Sequence, residues 1–153
     1  LYGLYQAAEA IKKTGSVVVM EGYFDVISAH LAGIQNSVAT CGTALTEQHL
    51  KLLTRYGIET LYLAFDSDAA GQQAALSAIA KLESMLSDVL MNQQELKVRV
   101  LQVPEGKDPD AFIRLYGGEA FQELLHDAKD WLSFKIESAL RGVALHDAQG
   151  RID

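Results

Sequence analysis

The sequence predicts an α/β fold in which a central, mostly parallel four-stranded sheet is flanked by helices. Two observations carry this prediction. Short runs of β-branched and other apolar residues alternate along the chain with longer segments whose apolar residues recur at helical spacing. Several runs are almost entirely apolar, as expected for strands of a parallel sheet that helices cover on both faces. The alternation of strand and helix favours crossover connections between parallel strands.

The first part of the chain predicts a helix, a strand and a second helix. Residues 2–13 place apolar side chains at helical spacing and end in two lysines, which suit the negative end of a helix dipole. Residues 16–20 form an apolar run typical of a buried strand. Residues 23–31 return to helical spacing, and Gly33 follows at the usual C-terminal glycine position.

The middle of the chain repeats this alternation. Residues 36–40 predict a short second strand. Thr46 is typical of a helix N-cap, and the helix that it starts ends at Gly57. Residues 60–65 predict the third strand, and an alanine-rich helix follows over residues 69–90.

The last part predicts one more strand and a helical end. Residues 97–103 alternate apolar and polar side chains and stop before a proline, as a fourth strand would. Three further helices are predicted over residues 110–116, 119–126 and 131–140. They close off the fold after the last strand.

Composition excludes several classes of protein. With 153 residues, 49% of them hydrophobic, the chain suits one domain with a full core. No apolar run approaches the ~20 residues that span a bilayer, and the start does not read as a signal peptide, so a cytoplasmic protein without membrane contact is expected. The lone cysteine cannot form an internal disulfide, and the four histidines lack zinc-ligand spacing. The net charge of -7 argues against a basic face that grips phosphates.

Carboxylates follow three of the four predicted strands. Glu21 ends the first strand, Asp66 and Asp68 follow the third, and Asp108 and Asp110 lie in the loop after the fourth. The carboxyl ends of parallel strands meet at one edge of a sheet, where α/β proteins bind ligands. We therefore expect these five acids to converge at that edge.

A divalent cation would relieve the repulsion within such a cluster. Asp25, on the first turn of the helix after Glu21, can face the same edge. Like charges a few ångströms apart raise one another's pKa values, and Mg²⁺ prefers carboxylate oxygens and open positions for phosphate. The pattern thus indicates phosphoryl or nucleotidyl transfer.

Each acidic group also has a purely structural interpretation. Asp66 or Asp68 can serve as an N-cap, Glu21 can be a plain strand end, and residues 107–110 can form a turn before a helix. Lys107 is either a solvated lysine or a contact for a nucleotide or template phosphate. The structural interpretation is adequate for each group alone, whereas the presence of all three at one edge favours a metal site.

Four motifs together resemble a known family. They are E-G-Y-F-D-V-I at residues 21–27, C-G-T-A-L-T at 41–46, D-S-D-A-A-G at 66–71 and P-E-G-K-D-P-D at 104–110. The set resembles the Toprim domain of bacterial DNA primases of the DnaG type. The resemblance divides the chain into a leading helix that ends a preceding subdomain (residues 1–15), a Toprim domain (16–116) and a C-terminal helical segment of the polymerase core (117–153).

This resemblance implies a Toprim fold and DNA-dependent synthesis of short RNA primers in DNA replication. It implies Mg²⁺ or Mn²⁺ as the cofactor, and single-stranded DNA template, ribonucleoside triphosphates and the RNA primer as partners. Glu21 would also act catalytically by assisting proton transfer. Glu21, Asp66 and Asp68 would be the principal metal ligands, and three further acids would complete the cluster: Asp25, Asp108 and Asp110.

The resemblance also describes what surrounds such a domain. Full primases carry an N-terminal zinc domain, a basic template-binding subdomain and a C-terminal domain that binds the replicative helicase, so the chain resembles an excised catalytic core. Zinc is expected only in that N-terminal domain. A Toprim nuclease or topoisomerase-like protein that cleaves phosphodiester bonds is the alternative, and a non-catalytic metal-binding module is a third interpretation.

Overall fold

The structure is a computed structural model that describes residues 1–89 and 96–149. The strands are β1 (Ser16–Met20), β2 (Ser37–Ala39), β3 (Thr60–Leu63), β4 (Lys97–Val100) and β5 (Lys129–Asp130). The helices are α1 (Leu4–Thr14), α2 (Tyr23–Leu31), α3 (Glu47–Thr54), α4 (Ala69–Val89), α5 (Pro109–His126) and α6 (Trp131–Gln149), with a 3-10 turn at Pro104–Gly106.

The strands form one sheet in the order β2-β1-β3-β4-β5. The first four strands of the chain run parallel to one another, with Val18 paired to both Ser37 and Tyr62 and Tyr62 paired to Arg99. The α/β fold with four parallel strands is therefore confirmed. The third and fourth strands end earlier than predicted, at Leu63 and Val100, and the chain continues from there into the loops of the candidate site.

The fifth strand, β5, was not predicted. It has two residues, Lys129 and Asp130, and pairs antiparallel with β4 at the edge of the sheet. Arg99 Nη1 donates a hydrogen bond to the carbonyl of Ala128 at 3.0 Å, which fastens the same turn to β4. Two residues are too few to show the alternating pattern of a strand. The pairing of β5 also depends on a neighbour about 30 residues away in the chain, so no local signal marks it.

The two helices predicted at residues 110–116 and 119–126 form one element, α5, with a break inside it. Gly117 has φ 86 and ψ 171, which a glycine adopts without strain. Gly118 approaches α2 closely, since a Cβ there would lie 2.3 Å from the carbonyl oxygen of Ala32. The remaining predicted helices are present, and residue 90, the last of the long predicted helix, lies outside the described residues.

Two apolar layers cover the faces of the sheet. One contains Ile11 of α1, Leu53 of α3, Ile79 of α4 and Phe134 of α6, and the other contains Phe121 of α5.

Thr46 accepts a hydrogen bond from the amide of His49 at 3.2 Å, so the predicted N-cap of α3 is confirmed. Within residues 1–89 and 96–149, no helix is long and apolar enough to cross a membrane.

Gly71 lets the first turn of α4 approach the loop after β3. A Cβ at this position would lie 1.8 Å from the carbonyl oxygen of Asp66. No side chain fits there, so the glycine fixes how the loop that carries Asp66 enters the helix.

We expect Gly71→Ala to lower the free energy of unfolding by about 2 kcal/mol, because the steric overlap outweighs the ~1 kcal/mol by which alanine favours a helix. Urea unfolding measures this change. Gln73→Ala, at an exposed position two residues along α4, is the control and should be nearly neutral. A Gly71→Ala protein as stable as the parent would contradict the close approach.

Candidate functional site

Acidic side chains from three loops surround the carboxyl edge of the sheet. Glu21 follows β1, Asp66 and Asp68 follow β3, and Asp108 caps α5 after β4. Their charges, together with that of Asp25, act on one another, since Glu21, Asp25, Asp108 and Asp68 each raise the pKa of Asp66. The structure thus brings the sequence-predicted acids into one electrostatic environment.

Glu21 links the loop after β1 to the loop after β3. Its Oε1 accepts a hydrogen bond from the backbone amide of Asp66 at 2.9 Å. The backbone of the same residue accepts a second bond, since its carbonyl takes the amide of Cys41 at 2.8 Å. Glu21 is therefore fixed between β2, β1 and β3, with Oε2 left for other contacts.

Asp25 makes a second link, from α2 to α5. Oδ2 accepts the amide of Gly22 at 3.0 Å and Oδ1 accepts the amide of Asp110 at 3.0 Å, while only 6% of the residue is exposed. Burial raises the pKa of Asp25 above its usual range; the two amide hydrogen bonds oppose this, and the charges of Asp108 and Asp110 add to it. Through these hydrogen bonds Asp25 connects the start of α2 to the start of α5. Its assignment as a metal ligand stays a prediction.

Asp66 is the most perturbed acid of the cluster. Burial, followed by the charges of Glu21, Asp25, Asp108 and Asp68, raises the pKa of its carboxyl group to about 6. Within the described residues, its carboxylate accepts no hydrogen bond from the protein. It therefore carries a charge that its protein surroundings oppose.

Asp68 and Asp108 are N-caps; the structural interpretation of the sequence offered capping for Asp66 or Asp68, and a turn before a helix for residues 107–110. Asp68 Oδ1 accepts the amide of Gly71 at 2.7 Å at the start of α4, and Asp108 Oδ1 accepts the amide of Ala111 at 2.7 Å at the start of α5. Each cap uses one oxygen. The other oxygen of each carboxylate accepts no hydrogen bond from the described part of the chain.

Asp110 is held by partners that the sequence did not reveal. Its Oδ1 accepts a hydrogen bond from the hydroxyl of Ser28 and another from Nε of Arg114 at 2.9 Å. Ser28 lies on α2, 82 residues away in the chain, so no local pattern marks it. Only the position of α2 beside α5 brings the two side chains together.

Lys107 pairs with a neighbour in the same loop. Its ammonium group contacts Glu105, and this hydrogen bond raises the pKa of Lys107 and lowers that of Glu105. Tyr116 donates to Glu105 at 3.1 Å, which holds the pair against α5. A contact of Lys107 with a nucleotide or template phosphate stays a prediction.

The acid cluster suits a divalent cation by its chemistry. In the parts of the chain that the structure describes, no three Asp, Glu, His or Cys side chains form a ready-made ligand set. Five of the six predicted acids accept hydrogen bonds from the protein. Asp66 is the exception, and a partly buried carboxylate without a donor, among four like charges, has the character of a Mg²⁺ ligand.

A cleft of about 280 Å³ opens beside Glu21. Its walls are Glu21, the loop after β2 and the first turns of α4, and its apolar residues include Phe65, Leu45 and Ala74. The sequence does not predict this cleft, because it lies between segments that no local pattern relates.

Comparison with known proteins identifies the family. The Toprim-like family matches residues 18–113. The DNA primase of Synechococcus elongatus is 42% identical over 149 residues, which are 97% of this chain and 21% of the primase. The DNA primase of Pseudomonas aeruginosa is 43% identical over 122 residues, or 80% of this chain and 17% of that primase.

Solved structures give the same result. A DNA primase domain from Pseudomonas aeruginosa has a TM-score of 0.75 and 38% identity, and the match covers 90% of this chain and 41% of that domain. The DnaG primase catalytic domain bound to ssDNA has a TM-score of 0.77 and 31% identity, with 92% of this chain and 42% of the other covered. The chain spans about a fifth of the length of the primases that it matches. It belongs to the Toprim-like family, and nearly its whole length corresponds to one segment of the DNA primases.

Proposed function

We propose that this chain forms the metal-binding catalytic site of a DNA primase, an enzyme that synthesises short RNA primers on a DNA template by nucleotidyl transfer. The observation that carries the proposal is Asp66, a partly buried carboxylate that accepts no hydrogen bond within the described chain and lies among four other acids. The similarity to DNA primases over 97% of the chain supports the same chemistry.

The residues divide into ligands and supports. Asp66, Asp68 and Glu21 are the principal ligands that we propose for Mg²⁺ or Mn²⁺, and Asp108 adds a further oxygen. When bound, such an ion stabilises the negative charge that grows on the phosphoryl oxygens in the transition state. Glu21 Oε1 accepts a hydrogen bond from the amide of Asp66, so Oε2 is the oxygen that can accept a proton from an attacking hydroxyl group.

Asp25 and Asp110 contribute mainly by holding the loops in place. Asp25 accepts hydrogen bonds from the amides of Gly22 and Asp110. Asp110 accepts hydrogen bonds from the side chains of Ser28 and Arg114. We include both acids in the metal cluster as predicted. Both hydrogen bonds to Asp110 fall on Oδ1, and each oxygen of Asp25 keeps one lone pair beside the amide whose hydrogen bond it accepts.

The partners follow from the proposed reaction. Single-stranded DNA would be the template, ribonucleoside triphosphates the substrates and an RNA primer the product. Two similar structures support the DNA partner, one of a DnaG primase catalytic domain bound to ssDNA and one of a Mycobacterium tuberculosis primase domain in complex with a DNA oligomer. A primase works with the replicative helicase in the bacterial cytoplasm, and we propose that setting here.

The comparisons favour a primase over a Toprim protein that cleaves phosphodiester bonds. Each of the relatives and solved structures named above is a DNA primase or part of one. Cleavage of a primer or template by the chain would favour the alternative. Binding of metal without any nucleotidyl transfer would favour a non-catalytic module.

Metal binding tests the cluster directly. We expect Asp66→Asn combined with Asp68→Asn to weaken Mn²⁺ binding at least tenfold, because it removes two charged oxygen ligands while keeping the N-cap acceptor. Isothermal titration measures the affinity. Glu9→Gln, which neutralises an acid with a 92% exposed side chain on α1, is the matched control. Unchanged Mn²⁺ binding in the double variant would exclude these residues as ligands.

The raised pKa of Asp66 predicts a pH-dependent change in stability. The carboxyl group is neutral in the folded protein below pH 6 and charged above it, whereas in the unfolded chain it is charged above about pH 4. Its contribution to stability is therefore complete below pH 4 and is lost as the pH rises through 6.

Without added metal, Asp66→Asn should raise the free energy of unfolding at pH 7.5 by about 1 kcal/mol, a figure that allows for solvent screening of a partly exposed group. The gain corresponds to a melting temperature about 2–4 °C higher, and at pH 4 it should be absent. Thermal unfolding at both pH values measures it, with Glu9→Gln as the control. A gain of the same size at both pH values would show that the charge of Asp66 is not its source.

Catalysis tests the role of Glu21. With the complete polymerase region in place, we expect Glu21→Gln to reduce ribonucleotide incorporation on single-stranded DNA about 100-fold or more, because the amide can neither accept the proton nor hold a cation as a carboxylate does. Incorporation of labelled ribonucleotide measures the rate. Glu9→Gln should retain activity, and a Glu21→Gln enzyme with the parental rate would overturn the mechanism.

A further inference from the structure

We propose that Ser28 is a positioning residue of the metal cluster, whose hydroxyl group holds Asp110 so that one oxygen of this carboxylate stays free for the cation. The inference rests on the proposed function and adds to it a residue that binds no metal itself. Ser28 lies on α2, and its hydroxyl donates a hydrogen bond to Oδ1 of Asp110 at the start of α5. The two residues are 82 positions apart in the chain, so only the packing of α2 against α5 brings them together.

The two oxygens of Asp110 have different surroundings. Oδ1 accepts hydrogen bonds from the hydroxyl of Ser28 and from Nε of Arg114, the latter at 2.9 Å, so both lone pairs of this oxygen are used. Oδ2 accepts no hydrogen bond from the described part of the chain. A cation that binds Asp110 would therefore bind through Oδ2, and the donors on Oδ1 set the orientation of the carboxylate.

Ser28 is better suited than Arg114 to orient this carboxylate. The side chain of Arg114 is 69% exposed and lies four residues from Asp110 on the same helix, and such ion pairs contribute little because they are mobile and screened by solvent. Ser28 is half-buried and short, so less conformational entropy is lost when its hydroxyl is held in place. A hydroxyl is also neutral, whereas a guanidinium group beside a cation repels it.

Helix α2 holds Asp110 at two points, and the two contacts have separate roles. Oδ1 of Asp25 accepts the backbone amide of Asp110 at 3.0 Å, which fixes where the chain enters α5. Ser28, three residues further along the same face of α2, contacts the side chain instead. Loss of the Ser28 hydroxyl would leave the amide contact in place, so we expect it to release the carboxylate without displacing the loop.

A carboxylate held in one orientation binds a cation more tightly than one that rotates freely. Less side-chain entropy is lost on binding when the rotamer is already restricted. Hydrogen-bond partners of metal ligands act in this way, and their loss typically weakens metal binding about 10-fold to 100-fold. Asp110 is one of six acids in the cluster, so we expect an effect at the lower end of this range.

Isothermal titration of the full chain with Mn²⁺ tests this role. We expect Ser28→Ala to weaken Mn²⁺ binding roughly tenfold, and Ser28→Thr, which keeps the hydroxyl, to bind within about twofold of the parent. Ser133→Ala is the matched control, because it removes a hydroxyl that donates to Asp130, a carboxylate outside the cluster. It should bind Mn²⁺ as the parent does. A Ser28→Thr or Ser133→Ala protein that bound as weakly as Ser28→Ala would show that the hydroxyl of Ser28 is not the source of the effect.

A double-mutant cycle shows whether Ser28 acts through Asp110. We expect Asp110→Ala to weaken Mn²⁺ binding about tenfold or more, and Ser28→Ala to have no further effect in the Asp110→Ala background. A residue that only stabilised the packing of α2 on α5 would weaken Mn²⁺ binding by the same factor in both backgrounds. Water-proton relaxation by the bound Mn²⁺ should also show about one more coordinated water in either single variant, because water replaces the lost carboxylate oxygen.

The outcomes separate this inference from the proposed function. Parental Mn²⁺ affinity in Ser28→Ala, or equal losses with and without Asp110, overturns the role of Ser28. The metal site itself then stands if Asp66→Asn combined with Asp68→Asn still weakens Mn²⁺ binding. Absence of Mn²⁺ binding by the parent chain overturns the proposed function together with this inference.

Discussion

Two hydrogen bonds between carboxylates and backbone amides hold the carboxyl edge of the sheet together. Glu21 accepts a hydrogen bond from the amide of Asp66, 45 residues away in the chain, and Asp25 accepts one from the amide of Asp110, 85 residues away. Both acceptors are carboxylates that are at least partly buried, and a hydrogen bond to an ionised carboxylate is stronger than one between neutral groups. They fix three loops relative to one another, and the positions of the remaining acids and of the cleft beside Glu21 depend on them.

The same edge carries an electrostatic cost that the body of the protein must offset. Asp66 is placed where burial and four neighbouring acids oppose its charge. Two apolar layers around the sheet, with side chains such as Phe121 and Phe134 almost fully buried, supply the stability that allows this. Repulsion among carboxylates lowers the stability of a cation site when it is empty, and the same negative charge raises its affinity for a cation. Such a site therefore binds more tightly at some cost in folding stability.

The sequence predicted what local patterns determine and missed what distant contacts determine. Continuous apolar runs marked four strands, and the strand order put Glu21, Asp66 and Asp108 at one edge. The pairing of β5, the contact of Ser28 with Asp110 and the cleft each join segments far apart in the chain. The break at Gly117 was visible as a double glycine, but whether two helices separate there or continue depends on how α5 packs against α2.

Capping a helix and binding a metal are compatible roles for the same aspartate. Asp68 and Asp108 each use one oxygen on the amide three residues ahead, and a carboxylate has four lone-pair sites on its two oxygens. The cap holds the side chain in one rotamer, so less conformational entropy remains to be lost when the second oxygen binds a cation. The helix dipoles of α4 and α5 also stabilise the negative charge at this end. A pattern of aspartates at strand-to-helix turns therefore need not be assigned either to capping or to metal binding, since capping prepares the carboxylate that a metal would use.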